Sequence, residues 1–315
     1  MSRRTAHDPH GPELSDLIVD YDAMTLARRP VRKDAVLARL AEGGHSRPLR
    51  IARALRTDHA GVLDDRDVDG MLVRSHLELQ RLHEEFRVGA TIQKMLAPML
   101  DLVRKATTER PIRVVDLGCG LGFILRWLSV HGELGEDVEL IGADYNHALV
   151  HAASTLARED DLRCSFVAAN AFRLSQPAHV YISTGVLHHF RGEDLVRLFA
   201  EHETSGALGF VHVDIRPSVL APLGSFIFHV ARMREPLAQW DGYWSAVRAH
   251  PARTLLDAIH EGAPGFAPAT LDAHPGLYMV ARIFQAVMAV RKPLAKDLAG
   301  SYSTLAGRMR IESHA

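Results

Sequence analysis

From Ile112 onward the chain alternates short apolar runs with amphipathic helical stretches, and a chain written that way buries its runs best as a parallel sheet covered on both faces. The runs are IRVVDLG, VELIGAD, LRCSFVAA, HVYISTGV and ALGFVHVDI. Between them FILRWLSVHG, HALVHAASTLARE and EDLVRLFAEHE have helical periodicity, the first stopping at Gly132 and the third starting behind Gly192. After Ile215 come an aromatic stretch, a helix at TLLDAIHEG, and two last strands at GFAPATLDA and FQAVMAVRK. The expected fold class is α/β: a mostly parallel sheet with helices on both faces, plus a helical N-terminal extension.

The boundaries follow from composition shifts. Residues 1–30 read as a flexible tail, opening on the polar stretch MSRRTAHDPHGPELSD. Residues 31–110 are the helical extension, in which DAVLARLAEGG ends at a Gly-Gly stop and SHLELQRLHEEF carries Leu77, Leu79, Leu82 and Phe86. A further helix, TIQKMLAPMLDLVRKA, should kink or break at Pro98. Residues 111–292 form the sheet domain, with an aromatic lid inserted at about 216–253, and 293–315 are a frayed C-terminal tail. No run approaches the roughly 20 apolar residues of a membrane span, and the start has no apolar leader, so a cytoplasmic location is expected. With 37 Lys plus Arg against 38 Asp plus Glu, no global field draws in nucleic acid. The two cysteines, Cys119 and Cys164, are too few for a disulfide framework or a thiolate zinc site, and the histidines lack paired spacing on a helix, so no metal is expected.

In an open parallel sheet, ligands sit beyond the carboxyl ends of the strands. The first such turn is VVDLGCGLGF, where Gly118, Gly120 and Gly122 let the backbone approach a ligand closely and Cys119 lies among them. Asp116 stands two residues ahead of the first glycine. It would repel a pyrophosphate and favour a ligand with cationic groups, which argues against a dinucleotide. Asp144 closes the second run, where a carboxylate can accept from two ribose hydroxyls, or cap the helix HALVHAAS; Asn146 is the better placed cap. Tyr145 can lie on a base, and Asn170, Ala171 and Phe172 follow the third run, where the amide side chain can bond an adenine amino group and the apolar ring can wall the pocket. Thr184, ending the fourth run, completes the cofactor set.

In this order the elements resemble the class I methyltransferase family that uses S-adenosylmethionine (SAM), with VVDLGCGLG as its first motif, VELIGADYN as its second, and VAANAF where the family often has an acid in place of Asn170. The resemblance spans roughly 87–292 and implies a Rossmann-like sheet, SAM as cofactor, and Arg87 closing its methionine end, although Arg87 reads equally well as a solvated helix charge. SAM's ammonium and sulfonium suit Asp116. The fourth run ends in STGVLHHF, where the family keeps catalytic groups. An imidazole there can take a hydroxyl proton. His189 is the preferred base and His188 the alternative; equally, one of the pair bonds backbone while the other lines the cofactor pocket.

The motifs of amino-directed and C5-cytosine methylation are absent, which points away from a DNA base. The stretch after Ile215 holds Phe226, Phe228, Trp240, Tyr243 and Trp244, suited to enclosing a flat acceptor or to packing as core. Within it WDGYWSAVRAH resembles a DGxxSxxRA signature of bacterial methyltransferases of polyketide or phenolic-lipid pathways, matched by Asp241, Ser245 and Arg248. His212, Asp214 and Arg216 share one face of the fifth run, and Asp214 and Arg216 either line the pocket or pair with each other. The expected activity is O-methylation of a small aromatic or polyketide-like acceptor, with Trp240, Tyr243, Trp244, Arg248 and Arg216 toward it. The alternatives are a SAM protein with non-methylating chemistry and a non-catalytic partner subunit. The helical extension is expected to cap the site or to form a homodimer contact.

Overall fold

The computed structural model describes residues 13–44, 46–174, 177–271, 283–302 and 309–311. The outermost parts of both expected tails, and the last two residues of GFAPATLDA, lie outside them. Along the chain run α1 (Leu14–Ile18), β1 (Asp20–Tyr21), β2 (Arg28–Arg29), α2 (Lys33–Glu42), α3 (Ser46–Ala54), α4 (Asp65–Glu85) and α5 (Val88–Ala106). The alternating region gives β3 (Ile112–Leu117), α6 (Phe123–His131), β4 (Val138–Asp144), α7 (His147–Glu159), β5 (Ser165–Ala168), β6 (Val180–Thr184), a 3-10 turn at Leu187–His189, α8 (Glu193–Thr204) and β7 (Gly209–Ile215). Then follow α9 (Ala221–Arg232), α10 (Pro236–Arg248), α11 (Ala252–Gly262), β8 (Phe266–Leu271), β9 (Phe284–Arg291), α12 (Ala295–Ser301) and β10 (Met309–Ile311).

Two units result, one of residues 83–216 and 249–315, the other of 1–82 and 217–248. In the sheet unit the strand order is β5-β4-β3-β6-β7-β9-β8-β10. The strands from β5 to β7 pair in parallel, while β9, β8 and β10 join antiparallel. Order runs outward from β3 through β4 to β5 and, on the other side, from β6 to β7, so the switch point lies between β3 and β6. β3 is buried along nearly its whole length, which is why it reads as a continuous apolar run. One face packs under α5, α6 and α12, the other under α8 and α11.

Pro98 does not break the preceding helix: α5 runs unbroken from Val88 to Ala106. Its buried stripe, including Ile92, Met95, Leu96 and Met99, contributes about 1.5–3 kcal/mol per side chain, which outweighs the roughly 3 kcal/mol that an internal proline costs. That stripe belongs to the sheet core, so α5 sits in the sheet unit instead of the extension. The expected fraying from Pro293 is also corrected. Leu298 and Tyr302 are buried, the Tyr302 hydroxyl donates to the Met95 carbonyl at 2.6 Å, and β10 pairs with β8.

The helical unit explains why the start of the chain is not a tail throughout. Asp241 on α10 accepts from the Leu14 and Ser15 amides at 2.8 and 3.1 Å, capping α1. Ser245 donates to Glu13 at 3.2 Å, and the Arg248 guanidinium lies 3.0 Å from Asp16 and 3.6 Å from Glu13. The DGxxSxxRA residues therefore clamp residues 13–16. Burial, then the Glu13 charge, pushes Asp241 up to about 7.

Side chains of β7 alternate between the two faces, Val211 and Val213 joining the α5 side and Phe210 and His212 the α8 side. His212 Nδ1 meets the Ser183 hydroxyl at 2.8 Å, its Nε2 lies 3.0 Å from His202 Nε2, and His202 stacks on Tyr181 at 4.5 Å. One nitrogen of the facing pair must donate and the other accept, so the accepting ring is neutral and the two rings are not both charged. Burial lowers both pKa values, His202 further through His212, and His212 falls to about 3. Each ring holds a proton less readily when folded, so its contribution to stability is complete above the unfolded value near ~6.5 and is lost as pH falls below it. His202→Phe should therefore flatten the fall of unfolding free energy between about pH 6.5 and 4, by about 1.4 kcal/mol per pH unit relative to the wild type. Denaturant titrations across that range measure it, and equal slopes would contradict the buried-neutral assignment.

Candidate active site

Three chain turns meet beyond the carboxyl ends of β3, β4 and β6. The turn after β3 is anchored where the Gly118 amide donates to the Ala143 carbonyl at 2.7 Å, and it feeds α6 through Gly122. Gly118 has φ +64° and a Cβ there would meet Val186 at 2.7 Å; Gly122 has φ +69° and would meet the Phe166 ring at 2.2 Å. Neither position admits a side chain. Close packing of Gly118 on Val186 sets the cofactor turn beside the turn that carries His188 and His189.

Asp144 ties the turns together. One carboxylate oxygen accepts from the Gly120 amide and the other from the Asn146 amide, both at 2.9 Å. Asn146 is the cap of α7, accepting from the Ala148 and Leu149 amides, so Asp144 is left to the loop. Asp116 is 2% exposed, and burial, then the Asp144 charge, raises its pKa well above the carboxylate range. The same burial and the two carboxylates push the Cys119 thiol up, which makes it a packing residue and not a nucleophile.

Around this centre Tyr145 is 37% exposed. The Asn170 side-chain oxygen accepts from the Phe172 amide at 2.9 Å, which shapes the turn. Ala171 and Phe172 are half-buried, and Phe172 meets Phe190 edge-on at 5.1 Å under the Arg197 guanidinium. The Thr184 hydroxyl is buried with no hydrogen-bond partner among the described residues. Arg87 is exposed at the start of α5, with a left-handed backbone at φ +52°.

The histidines are placed differently from a strand-like reading. Leu187–His189 is a 3-10 turn, so the two rings lie side by side at 4.4 Å. His188 is buried, and its Nδ1 lies 2.8 Å from Asp214 while its amide donates to the other Asp214 oxygen at 2.9 Å. Asp214 also accepts from the Ile215 amide. Burial alone would raise Asp214, but the His188 contacts win and hold it below the usual value. Asp214 thus pairs with His188, not with Arg216, whose amide donates to Ile283. His189 is half-buried, its amide bonded to Val186.

Two contributors escaped sequence reading. His250 donates to the Phe190 carbonyl at 2.7 Å, and Gln285 in turn donates to the His250 carbonyl at 2.5 Å, which buttresses the histidine turn. Gly142 inside β4 leaves room for Phe166, and a glycine within a strand run was the available signal. Trp240, Tyr243, Trp244 and Arg248 belong to the helical unit. There Trp240 and Trp244 are buried edge to face, and Arg248 is held by carboxylates.

Residues 114–205 match the family model of a methyltransferase domain. No curated protein matches the chain by sequence. Among solved structures, the plantazolicin methyltransferase BamL with SAH is 12% identical, covering 71% of this chain and 96% of its own at TM-score 0.49. Magnesium protoporphyrin IX methyltransferase from Synechocystis PCC 6803 with bound SAH is 17% identical, covering 82% and 99% at TM-score 0.44. A SAM-dependent methyltransferase from Aquifex aeolicus is 13% identical, covering 62% and 89% at TM-score 0.42. The segment that matches the methyltransferase-domain model runs from within β3 to the end of α8 and includes the glycine turn, Asp144 and both histidines.

Proposed function

We propose that this chain transfers a methyl group from SAM to a hydroxyl oxygen of a small-molecule acceptor, with His188 taking the hydroxyl proton. The observation that carries the reading is the His188–Asp214 pair on the turn packed against Gly118. The residues fit the cofactor. A buried carboxylate whose pKa is driven up by burial and by a second carboxylate is stabilised by a cation, and the glycine turn beside it is a cradle that a Cβ would fill. Asp116 and the turn would hold the amino-acid end, and Asp144 with Tyr145 and Phe172 the nucleoside. When bound, SAM supplies a methyl already activated by the sulfonium.

What the chain adds is alignment and proton management. Asp214 accepts from His188 Nδ1–H, which fixes the tautomer and makes Nε2 the basic nitrogen. With SAM bound, that nitrogen would take the acceptor's O–H proton while the methyl carbon exchanged its bond to sulfur for one to oxygen, leaving neutral S-adenosylhomocysteine, and Asp214 would stabilise the resulting imidazolium. A hydroxyl gains most from such a base, because its proton is held tightly at neutral pH. The aromatic pair Trp240 and Trp244 and the clamped Arg248 have structural roles sufficient to account for them, so acceptor binding is not assigned to them.

Two outcomes test this. Asp116→Asn puts a neutral amide where a bound cation would face a carboxylate, so it should leave the melting temperature of the ligand-free protein at or above the wild-type value and weaken SAM binding by roughly tenfold or more. Lower stability with unchanged SAM affinity would contradict the cation-holding role. Against a panel of phenolic acceptors followed by mass, His188→Ala should lower kcat by about 10²–10⁴ with SAM affinity kept, Asp214→Asn should fall in the same direction, and His189→Ala should stay near wild type. Loss at His189 with retention at His188 would move the base to its neighbour.

A further inference from the structure

Helix α9 is turned inside out. Its polar side chains Ser225 and His229 face α10, where the Ser225 hydroxyl donates to the Gly242 carbonyl at 2.6 Å and Gly242 leaves space for the His229 ring. Phe226 meets Tyr243 of α10 edge-on at 6.3 Å, whereas the aliphatic side chains face away. Val219 and Leu220 leading into it are 98% and 74% exposed, and Leu223, Ile227 and Val230, at helical spacing on one stripe, are 58%, 58% and 41% exposed. No residue of α9 is buried. Isolated exposed hydrophobics are ordinary, but a continuous ridge on one helix needs an occupant.

Charge says which. From Pro217 to Arg234 the chain has two arginines and no acid, in a protein whose net charge is −1. Helix α3, carrying Arg47, Arg50 and Arg53 and also no acid, meets α9 where the Arg47 guanidinium lies 5.6 Å from the Phe226 ring. Arg50 and Arg53 are exposed. An apolar ridge on a helix that carries no acid, with the Arg47 guanidinium over one of its rings and further arginines on α3, is the composition of a helix lying in the plane of an anionic lipid surface. A second copy of this chain would bring the same rim onto itself, arginine against arginine. A polyanion such as nucleic acid has no use for the ridge. A convex ridge also suits an occupant that adapts its shape, and no described helix is long and apolar enough to cross a membrane.

We propose that α9, flanked by the arginines of α3, docks this protein on the surface of anionic lipid, its apolar stripe entering the headgroup boundary. The inference is independent of which histidine acts as base and of the acceptor's identity. The test is flotation of the full chain with vesicles of phosphatidylcholine alone and of phosphatidylcholine mixed with phosphatidylglycerol. The protein should float with the mixed vesicles, far less with phosphatidylcholine alone, and be released by high salt. Leu223→Asp combined with Ile227→Asp should reduce flotation roughly tenfold or more, while circular dichroism and melting temperature stay at wild-type values, because both positions are exposed. Absence of flotation, or flotation of the double variant equal to wild type, would overturn the proposal. So would a dimeric mass in light scattering that the double variant reduces to a monomer without any lipid binding, which would give the ridge to a second copy.

Discussion

The arrangement beyond the sheet depends on one carboxylate. Asp144 ends β4 and accepts from the Gly120 amide on one oxygen and from the Asn146 amide on the other. It thereby fixes the glycine turn against the neighbouring strand's exit. Hydrogen bonds to a buried anion are among the stronger ones, about 1.5–3 kcal/mol each, so the turn is preformed instead of induced. The consequence appears at Asp116, which is enclosed with a second negative charge beside it and pushed toward its protonated form. A site built with that imbalance prefers a cation. The same imbalance disfavours a pyrophosphate.

The sheet was legible because its signal is local. Parallel strands buried on both faces give unbroken apolar runs, and β3, β4, β6 and β7 fall within the expected segments. The glycine turn and its two acids were legible for the same reason, since spacing within one turn determines what they can touch. Pro98 misled, because a proline's local cost is visible in sequence and the core stripe that offsets it is spread over α5. Long-range partners were not legible. The union of residues 13–82 with 217–248 rests on contacts such as Asp241 to the Leu14 amide and Arg248 to Asp16, more than two hundred positions apart. Read alone, WDGYWSAVRAH suggests a lid, whereas its polar residues hold the start of the chain.

The histidine pair shows how a backbone detail redirects chemistry. In an extended strand end, neighbouring side chains point to opposite faces, and sequence gave no means of choosing His188. In the 3-10 turn the rings lie together, and Asp214 reaches only His188 through two contacts. The sequence had offered Arg216 as the partner of Asp214, because alternation along β7 puts both on one face. Alternation specifies a face and says nothing about what arrives over it from another turn.

The most direct test of the account is calorimetric titration of the purified chain with SAM and, in parallel, with NAD. The preformed glycine turn and the carboxylate pair predict SAM binding at roughly micromolar affinity and none for NAD. Binding of NAD, or failure to bind SAM, would contradict the claim that Asp116 and Asp144 select a cationic nucleoside.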